Sequence, residues 1–110
     1  MLLSMDKFNE EIRSIVEQLI RIYSPLKVIL FGSLARGNLG QGTDIDLFII
    51  KEDIPVLGVD RIRQIQKLIR HKIATDFIIY KPDEVKQRLE LGDPFVKSIF
   101  EQGKVIYSAE

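Results

Sequence analysis

The sequence predicts an α/β (α+β) fold, a small mixed sheet of about four strands with helices packed on it. Short apolar runs of strand length alternate along the chain with segments whose apolar residues recur every three or four positions, as in amphipathic helices. The chain has 110 residues, of which 45% are hydrophobic. This size suits one domain over residues 1–110, with a single core.

Residues 6–23 form the first predicted helix. Asp6 is a plausible N-cap, and Pro25 ends the element. We expect this helix to cover one face of the sheet. Its apolar residues share one helical face and are Phe8, Ile12, Ile15, Val16, Leu19 and Tyr23.

The next two apolar runs are predicted to be central strands. Lys27–Phe31 is apolar on both faces, which is typical of a buried strand. Residues 44–50 begin with two aspartates and continue as a strongly apolar run. An edge strand that turns its charges to water is the alternative for this second run, but the apolar continuation speaks against it.

The connection between these strands contains a short helical turn at residues 33–36. Asn38, Gly40 and Gly42 then mark the loop that leads back to the sheet.

A loop over residues 51–58 precedes a second amphipathic helix, which begins near Val59. Around its apolar face stand several basic residues, the most basic surface of the chain. A solvated helix face is the favoured interpretation, and a surface for an anionic partner is the alternative. The apolar residues are Val59, Ile62, Ile65, Leu68 and Ile69, and the basic ones are Arg61, Arg63, Lys67 and Arg70.

The last third of the chain predicts a strand over residues 73–80, two helices and a final strand. Pro82 suits the first turn of a helix, which the Gly92-Asp93-Pro94 sequence interrupts. The second of these helices ends at Gly103. Residues 104–107 then form a short strand, expected at an edge of the sheet.

Composition excludes several classes of protein. The net charge is zero and there is no cysteine, so neither a disulfide framework nor a cysteine zinc site is possible. A neutral chain also argues against nucleic acid as a direct substrate. No apolar run reaches the length of a membrane span, and no secretion signal is recognisable, so we expect a cytoplasmic protein.

Asp44 and Asp46 are the first candidates for a functional site. Side chains alternate along a strand, so the two carboxylates are expected on the same side of the sheet, where they repel each other. A divalent cation would relieve this repulsion, and Mg²⁺ is commonly held by one or two carboxylates together with substrate phosphates.

Two further features accompany this pair. Gly32 and Ser33 follow the first strand at the start of a helical turn, where a glycine allows close approach and free N–H groups suit a phosphate. Asp76 is the one charged residue inside an apolar strand and needs a partner there. That partner is either a nearby arginine at the strand end or a functional site.

The spacing of these residues resembles a known signature. Gly32-Ser33, ten residues, and then Asp44-x-Asp46 is similar to the active-site motif of the DNA-polymerase-β-like nucleotidyltransferases. The segments GSLARG and FVKSIFEQGKVIY look most like the minimal nucleotidyltransferases, or MNT proteins. The resemblance covers nearly the whole chain and narrows the expected fold to the polymerase-β-like palm.

The resemblance implies a function and a set of residue roles. AMP would pass from ATP to an acceptor hydroxyl, with two Mg²⁺ ions held by Asp44, Asp46 and Asp76. Gly32 and Ser33 would bind the β- and γ-phosphates. The short chain leaves nothing to enclose an acceptor, so a partner is expected, and in MNT proteins this is a HEPN-domain ribonuclease toxin. The MNT protein acts as the antitoxin and adenylylates the toxin on a tyrosine.

Several alternatives stay open at this point. Arg36 is either a phosphate contact or a solvated loop arginine, and Thr43 either orients a ligand or shapes the turn. The chain could also be a non-catalytic, nucleotide-binding antitoxin, or a small-molecule nucleotidyltransferase. An intact set of three acids favours the enzyme over the pure binder, and no residues suggest a small-molecule pocket. A homo-oligomer is compatible with all of these.

Overall fold

The computed structural model describes residues 5–38 and 43–109, and the predicted loop glycines Gly40 and Gly42 lie outside this part of the chain. Helices and strands alternate as predicted. The elements are α1 (Met5–Gln18) with a π-helical turn (Leu19–Tyr23), β1 (Lys27–Phe31), α2 (Gly32–Ala35), β2 (Ile45–Ile50), α3 (Gly58–Leu68), β3 (Thr75–Tyr80), α4 (Pro82–Glu90), α5 (Pro94–Gln102) and β4 (Lys104–Ser108).

The four strands form one mixed sheet in the order β3-β2-β1-β4. Strand β1 pairs antiparallel with β2 and with β4, whereas β2 and β3 are parallel. The predicted α/β fold is therefore confirmed, as are the central positions of β1 and β2 and the edge position of β4. Strand β3 forms the other edge.

The two faces of the sheet pack against different helices, because successive side chains of a strand point to opposite faces. One face packs its Val28, Leu47 and Ile79 against buried residues of α1 and α3. The other packs Ile29 and Phe48 against Val85 of α4 and against Val96 and Ile99 of α5. Phe31 and Ile78 belong to this second face, and by alternation so do Asp46 and Asp76.

The first helix changes its geometry at its C-terminal end. The prediction of one helix over residues 6–23 is confirmed in extent, but the last turn is π-helical, with a hydrogen bond of 2.9 Å from the Ser24 N–H to the Leu19 carbonyl. Ser24 has a positive φ of 56° and ends the element just before Pro25. Within this turn Leu19 and Tyr23 are buried.

Strand β3 begins two residues later than predicted. The backbone N–H groups of Lys72 and Ile73 donate to the Glu11 carboxylate of α1. These N–H groups therefore bond to a side chain instead of to the neighbouring strand. The first sheet contact here is the hydrogen bond from the Ile45 N–H to the Ala74 carbonyl, at 2.9 Å.

Arg61 does not belong to a solvated basic face. It is only 7% exposed, and its guanidinium donates to the Pro55 and Ile79 carbonyls and to both carboxylate oxygens of Glu84, at 2.8 and 3.0 Å. Hydrogen bonding from Arg61 lowers the pKa of Glu84 below its usual value. A bidentate pair of this kind fixes the chain before α3 and the start of α4 to one point on β3.

No helix in residues 5–38 and 43–109 is long and apolar enough to cross a bilayer.

Candidate active site

Asp46 and Asp76 are brought together by the parallel pairing of β2 and β3. The register places Asp46 directly opposite Asp76, so both side chains leave the same face of the sheet at neighbouring positions. A side-chain hydrogen bond with Asp76 is among the causes that raise the pKa of Asp46, which shows that the two carboxyl groups lie next to each other.

The pKa of Asp46 is raised from 3.8 to about 6. Burial is the largest cause, the neighbouring charges of Asp76 and Asp44 act in the same direction, and the charge of Arg36 opposes them. The causes are the ones expected for carboxylates that share a site, since desolvation and like charges both disfavour ionisation. Carboxyl groups held in this way are characteristic of functional sites.

Gly32 makes room for this carboxyl pair. Its φ of +74° lies in the left-handed region, and a Cβ atom built on it would lie 2.2 Å from Oδ2 of Asp46. The glycine is therefore required twice, by its backbone conformation and by the close approach of a side chain. The sequence predicted close approach at Gly32, but of a ligand rather than of Asp46.

Asp44 is not assembled into the same cluster. Strand β2 begins at Ile45, so the prediction that Asp44 opens the strand is wrong by one residue, and the Asp44 side chain is exposed. Its charge nevertheless acts on Asp46. Within the described ranges, no group of three or more His, Cys, Asp or Glu side chains is close enough to hold a metal ion. The structure therefore brings Asp46 and Asp76 together, whereas the exposed Asp44 lies just before β2, outside this pair.

The remaining predicted residues border this pair on one side. Ser33 is the second residue of α2, and its carbonyl accepts hydrogen bonds from the N–H groups of Arg36 and Asn38. Arg36 is exposed at the end of α2, and Thr43 is half-buried next to Asp44. Their roles in nucleotide binding stay predictions.

Sequence reasoning missed the aromatic residues of the site. Phe31 is paired with Asp46 in the sheet register, and its ring meets that of Phe95 edge to face at 5.8 Å. Phe95 reaches this point because the Asp93 carboxylate caps α5, accepting from the Phe95 and Val96 N–H groups at 2.9 and 3.2 Å. The capping signal was readable as Asp93-Pro94, whereas the contact with Phe31 depends on tertiary structure.

Two cavities open beside the pair, one on each side of the Phe31–Phe95 contact. The first, about 230 Å³, is lined by Gly32, Arg36 and Ser98 together with the two rings. The second, about 470 Å³, contains Asp46 and Asp76. A larger cavity of about 570 Å³ lies between α1 and the chain that follows α3, away from the carboxyl pair.

The raised pKa of Asp46 predicts a pH-dependent gain in stability for Asp46→Asn. Between pH 4 and pH 6 the folded protein keeps a proton that the unfolded chain releases, so the free energy of unfolding of the natural protein falls as the pH rises through this window. Asparagine carries no charge and avoids this loss. We expect Asp46→Asn to be more stable by about 1 kcal/mol above pH 6.5, after allowance for solvent screening.

Thermal unfolding at pH 7.5 and pH 4.0 checks this expectation. The variant should melt roughly 4 to 8 °C higher than the natural protein at pH 7.5, and the difference should shrink toward zero at pH 4.0. An equal difference at both pH values would show that the Asp46 carboxyl is not strained by its neighbours.

The chain matches the sequence model of one protein family, the nucleotidyltransferase domain, over residues 10–107. A curated relative from Methanocaldococcus jannaschii, provisionally named a protein adenylyltransferase, is 28% identical over 90 residues. This match covers 77% of the chain and 60% of the relative, so the chain spans less than two thirds of the length of that protein.

Among solved structures, a crystal structure from Sulfolobus solfataricus, provisionally assigned as a nucleotidyltransferase, superposes on the chain with a TM-score of 0.62. The match covers 99% of this chain and 93% of the other, at 23% identity. At this identity the likeness shows a shared fold.

Proposed function

Because the chain belongs to the nucleotidyltransferase domain family, we propose that it transfers AMP from ATP to a hydroxyl group on a protein acceptor. The observation that carries this proposal is the Asp46–Asp76 carboxyl pair, held against Gly32 at the start of α2. The M. jannaschii relative, provisionally named a protein adenylyltransferase, supports a protein as the acceptor. The resemblance to MNT proteins favours a tyrosine of a HEPN-domain toxin, with this chain as the antitoxin.

The oxygen donors of the site fit Mg²⁺. Asp46 and Asp76 offer carboxylate oxygens from neighbouring positions on one face of the sheet, and Mg²⁺ prefers such ligands. Burial and two neighbouring carboxylates disfavour the ionised form of Asp46, and a divalent cation would reverse that preference. Asp46 and Asp76 would therefore hold the metal, with Asp44 as the third ligand. Two bound Mg²⁺ ions would supply charge stabilisation at the phosphate oxygens and activation of the acceptor hydroxyl.

Other residues of the chain would bind the phosphates and accept the proton of the acceptor hydroxyl. Ser33 and the first N–H groups of α2 would bind the β- and γ-phosphates, with Gly32 keeping the backbone close to Asp46. Arg36, whose charge already acts on Asp46, would contact a phosphate through its planar guanidinium. Thr43 would orient the phosphate or Asp44. The Asp76 carboxylate would accept the proton of the acceptor hydroxyl as the in-line displacement expels pyrophosphate.

Ser33→Val is expected to weaken the binding of ATP in the presence of Mg²⁺. Valine is larger than serine and should block the phosphates, and it removes the hydroxyl that would donate to a charged phosphate, a hydrogen bond that contributes about 1.5–3 kcal/mol. The dissociation constant measured by calorimetry should therefore rise by about 10- to 100-fold. Circular dichroism should stay that of the natural protein.

The matched control is Ser108→Val, at an exposed position of β4 at the edge of the sheet, which should leave ATP binding unchanged. Failure of the natural protein to bind ATP with Mg²⁺ would contradict the proposed function. Loss of the fold in Ser33→Val would instead make Ser33 a structural residue.

A further inference from the structure

A cavity of about 570 Å³ lies between α1 and the segment that follows α3. This volume falls within the range of about 300–1,000 Å³ that is typical of ligand sites. None of the described residues that line the cavity belongs to the candidate active site. The cavity is therefore a separate place, and its own side chains decide what it can bind.

Two side chains of α1 hold the segment that forms the far wall of the cavity. The side-chain oxygen of Gln18 accepts from the Arg70 N–H, and its amide nitrogen donates to the Arg70 carbonyl, each at 2.8 Å. The Glu11 carboxylate accepts from the N–H groups of Lys72 and Ile73. All of these bonds use backbone groups of the segment. They fix the wall before a ligand arrives, which lowers the cost of binding, and they do not involve the side chains of Arg70 and Lys72.

The cavity carries an excess of positive charge. Three exposed cationic side chains line it, those of Arg21, Arg70 and Lys72, and within the described part of the chain none of the three forms an ion pair. The carboxylates of Glu11 and Glu17 line it as well, but that of Glu11 already accepts two backbone N–H groups. Unpaired cations that converge on one concave surface attract an anion.

The remaining walls add a hydroxyl and an apolar surface. The Ser14 hydroxyl oxygen accepts from the Gln18 side chain at 3.3 Å, which leaves its own hydrogen to donate to a ligand. About two helical turns further along the same helix, Ile22 lines the cavity and is 45% exposed. Leu68, at the end of α3, lines it too and is 37% exposed. The cavity thus joins cationic and apolar walls.

We propose that this cavity binds a phosphate-bearing small molecule that also has an apolar part, a class that includes the nucleotides. The guanidinium groups of Arg21 and Arg70 present paired donors that match phosphate oxygens, and Lys72 adds a further charge. The apolar part would pack against Ile22 and Leu68, which an inorganic anion would leave uncovered. The inference goes beyond the proposed function, because no step of the transfer uses this cavity.

Methyl NMR with ADP tests the site, in a buffer that contains EDTA to remove divalent cations. ADP should shift the methyl resonances of Ile22 and Leu68 until they saturate. Adenosine and inorganic pyrophosphate each carry one half of this probe, and each should bind at Ile22 more weakly by about tenfold or more. Binding of either half as tight as that of ADP would overturn the proposal, as would the absence of any shift at Ile22 and Leu68.

The double variant Arg70→Gln, Lys72→Gln tests the cations. It removes two charges and leaves the backbone hydrogen bonds of both residues in place. The dissociation constant of ADP read at Ile22 should rise by about tenfold or more, as expected for the loss of charge-assisted hydrogen bonds. The matched control is Lys86→Gln, Lys97→Gln, which removes two charges from exposed positions of α4 and α5 and should leave that constant unchanged.

Ile62 and Ile78 separate this site from the proposed active site, because both line the cavity that contains Asp46 and Asp76. Their resonances, and the transfer of AMP, should be the same in Arg70→Gln, Lys72→Gln as in the natural protein. If that variant does not fold, Arg21→Gln gives the same readout at Ile22. ADP shifts confined to Ile62 and Ile78, or an unchanged dissociation constant at Ile22 in the folded variant, would overturn the second site and leave the transferase proposal standing. A protein without transfer activity would contradict the proposed function and leave the reading at Ile22 intact.

Discussion

The double variant Asp44→Asn, Asp46→Asn is expected to lose Mg²⁺-dependent nucleotide transfer while it keeps its fold. Both changes remove charge from the site without removing volume. Loss of preorganised electrostatic groups of this kind lowers turnover by about 10²–10³-fold or more. Because Asp46 is destabilised by burial and by its carboxylate neighbours, the folded state should be as stable as the natural one or slightly more stable.

A second double variant controls for net charge. Glu52→Gln with Asp53→Asn removes two negative charges from exposed positions after β2 and should leave pyrophosphate release unchanged. Unchanged transfer by the folded Asp44→Asn, Asp46→Asn protein would rule out the proposed site, whatever the control does.

Gly32→Ala is expected to cost both stability and activity. An alanine at φ +74° costs roughly 1–2 kcal/mol for its left-handed backbone. Its Cβ would also lie 2.2 Å from Oδ2 of Asp46, and such overpacking costs about 1–3 kcal/mol more. Since the relief of this overlap moves the Asp46 carboxylate, nucleotide transfer should fall with stability.

Gly37→Ala separates the two contributions. Gly37 has a similar φ of +77°, but a Cβ there would meet nothing within 4 Å, so this variant should show the backbone cost alone. Chemical denaturation of both variants, and of Gly32→Ala combined with Asp46→Ala, forms a double-mutant cycle. The second substitution should recover the part of the loss that comes from the overlap. Equal costs for Gly32→Ala and Gly37→Ala would contradict the close packing of Gly32 against Asp46.

The sheet and its helices could be predicted because their signals are local. Apolar alternation and helical spacing are properties of short segments, and they placed β1 and β2 at the centre and β4 at an edge. The predicted start of β3 was wrong because a side chain from a distant part of the sequence takes up backbone N–H groups that the prediction had assigned to the sheet. Glu11 binds the N–H groups of Lys72 and Ile73 from another element, and no pattern within residues 73–80 records that contact.

The candidate site was predictable in its residues but not in its arrangement. A lone aspartate in an apolar strand indicates that Asp76 needs a partner, yet its position opposite Asp46 depends on the parallel pairing of β2 with β3. The sequence predicted Arg61 to be one of several residues on a basic surface. Its burial depends on the ion pair with Glu84, which lies in a different helix. The contact between Phe31 and Phe95 likewise joins β1 to α5, and neither segment alone indicates it.

Intact-mass spectrometry of the acceptor tests the central claim most directly. The natural protein is incubated with ATP, Mg²⁺ and the HEPN-type partner proposed for it, and each transferred AMP adds about 329 Da to that partner as pyrophosphate leaves. We expect this mass on a tyrosine of the partner, and none with the Asp44→Asn, Asp46→Asn protein. If that double variant silences the partner as well as the natural protein does, with no added mass, the chain is a non-catalytic antitoxin and the account is contradicted.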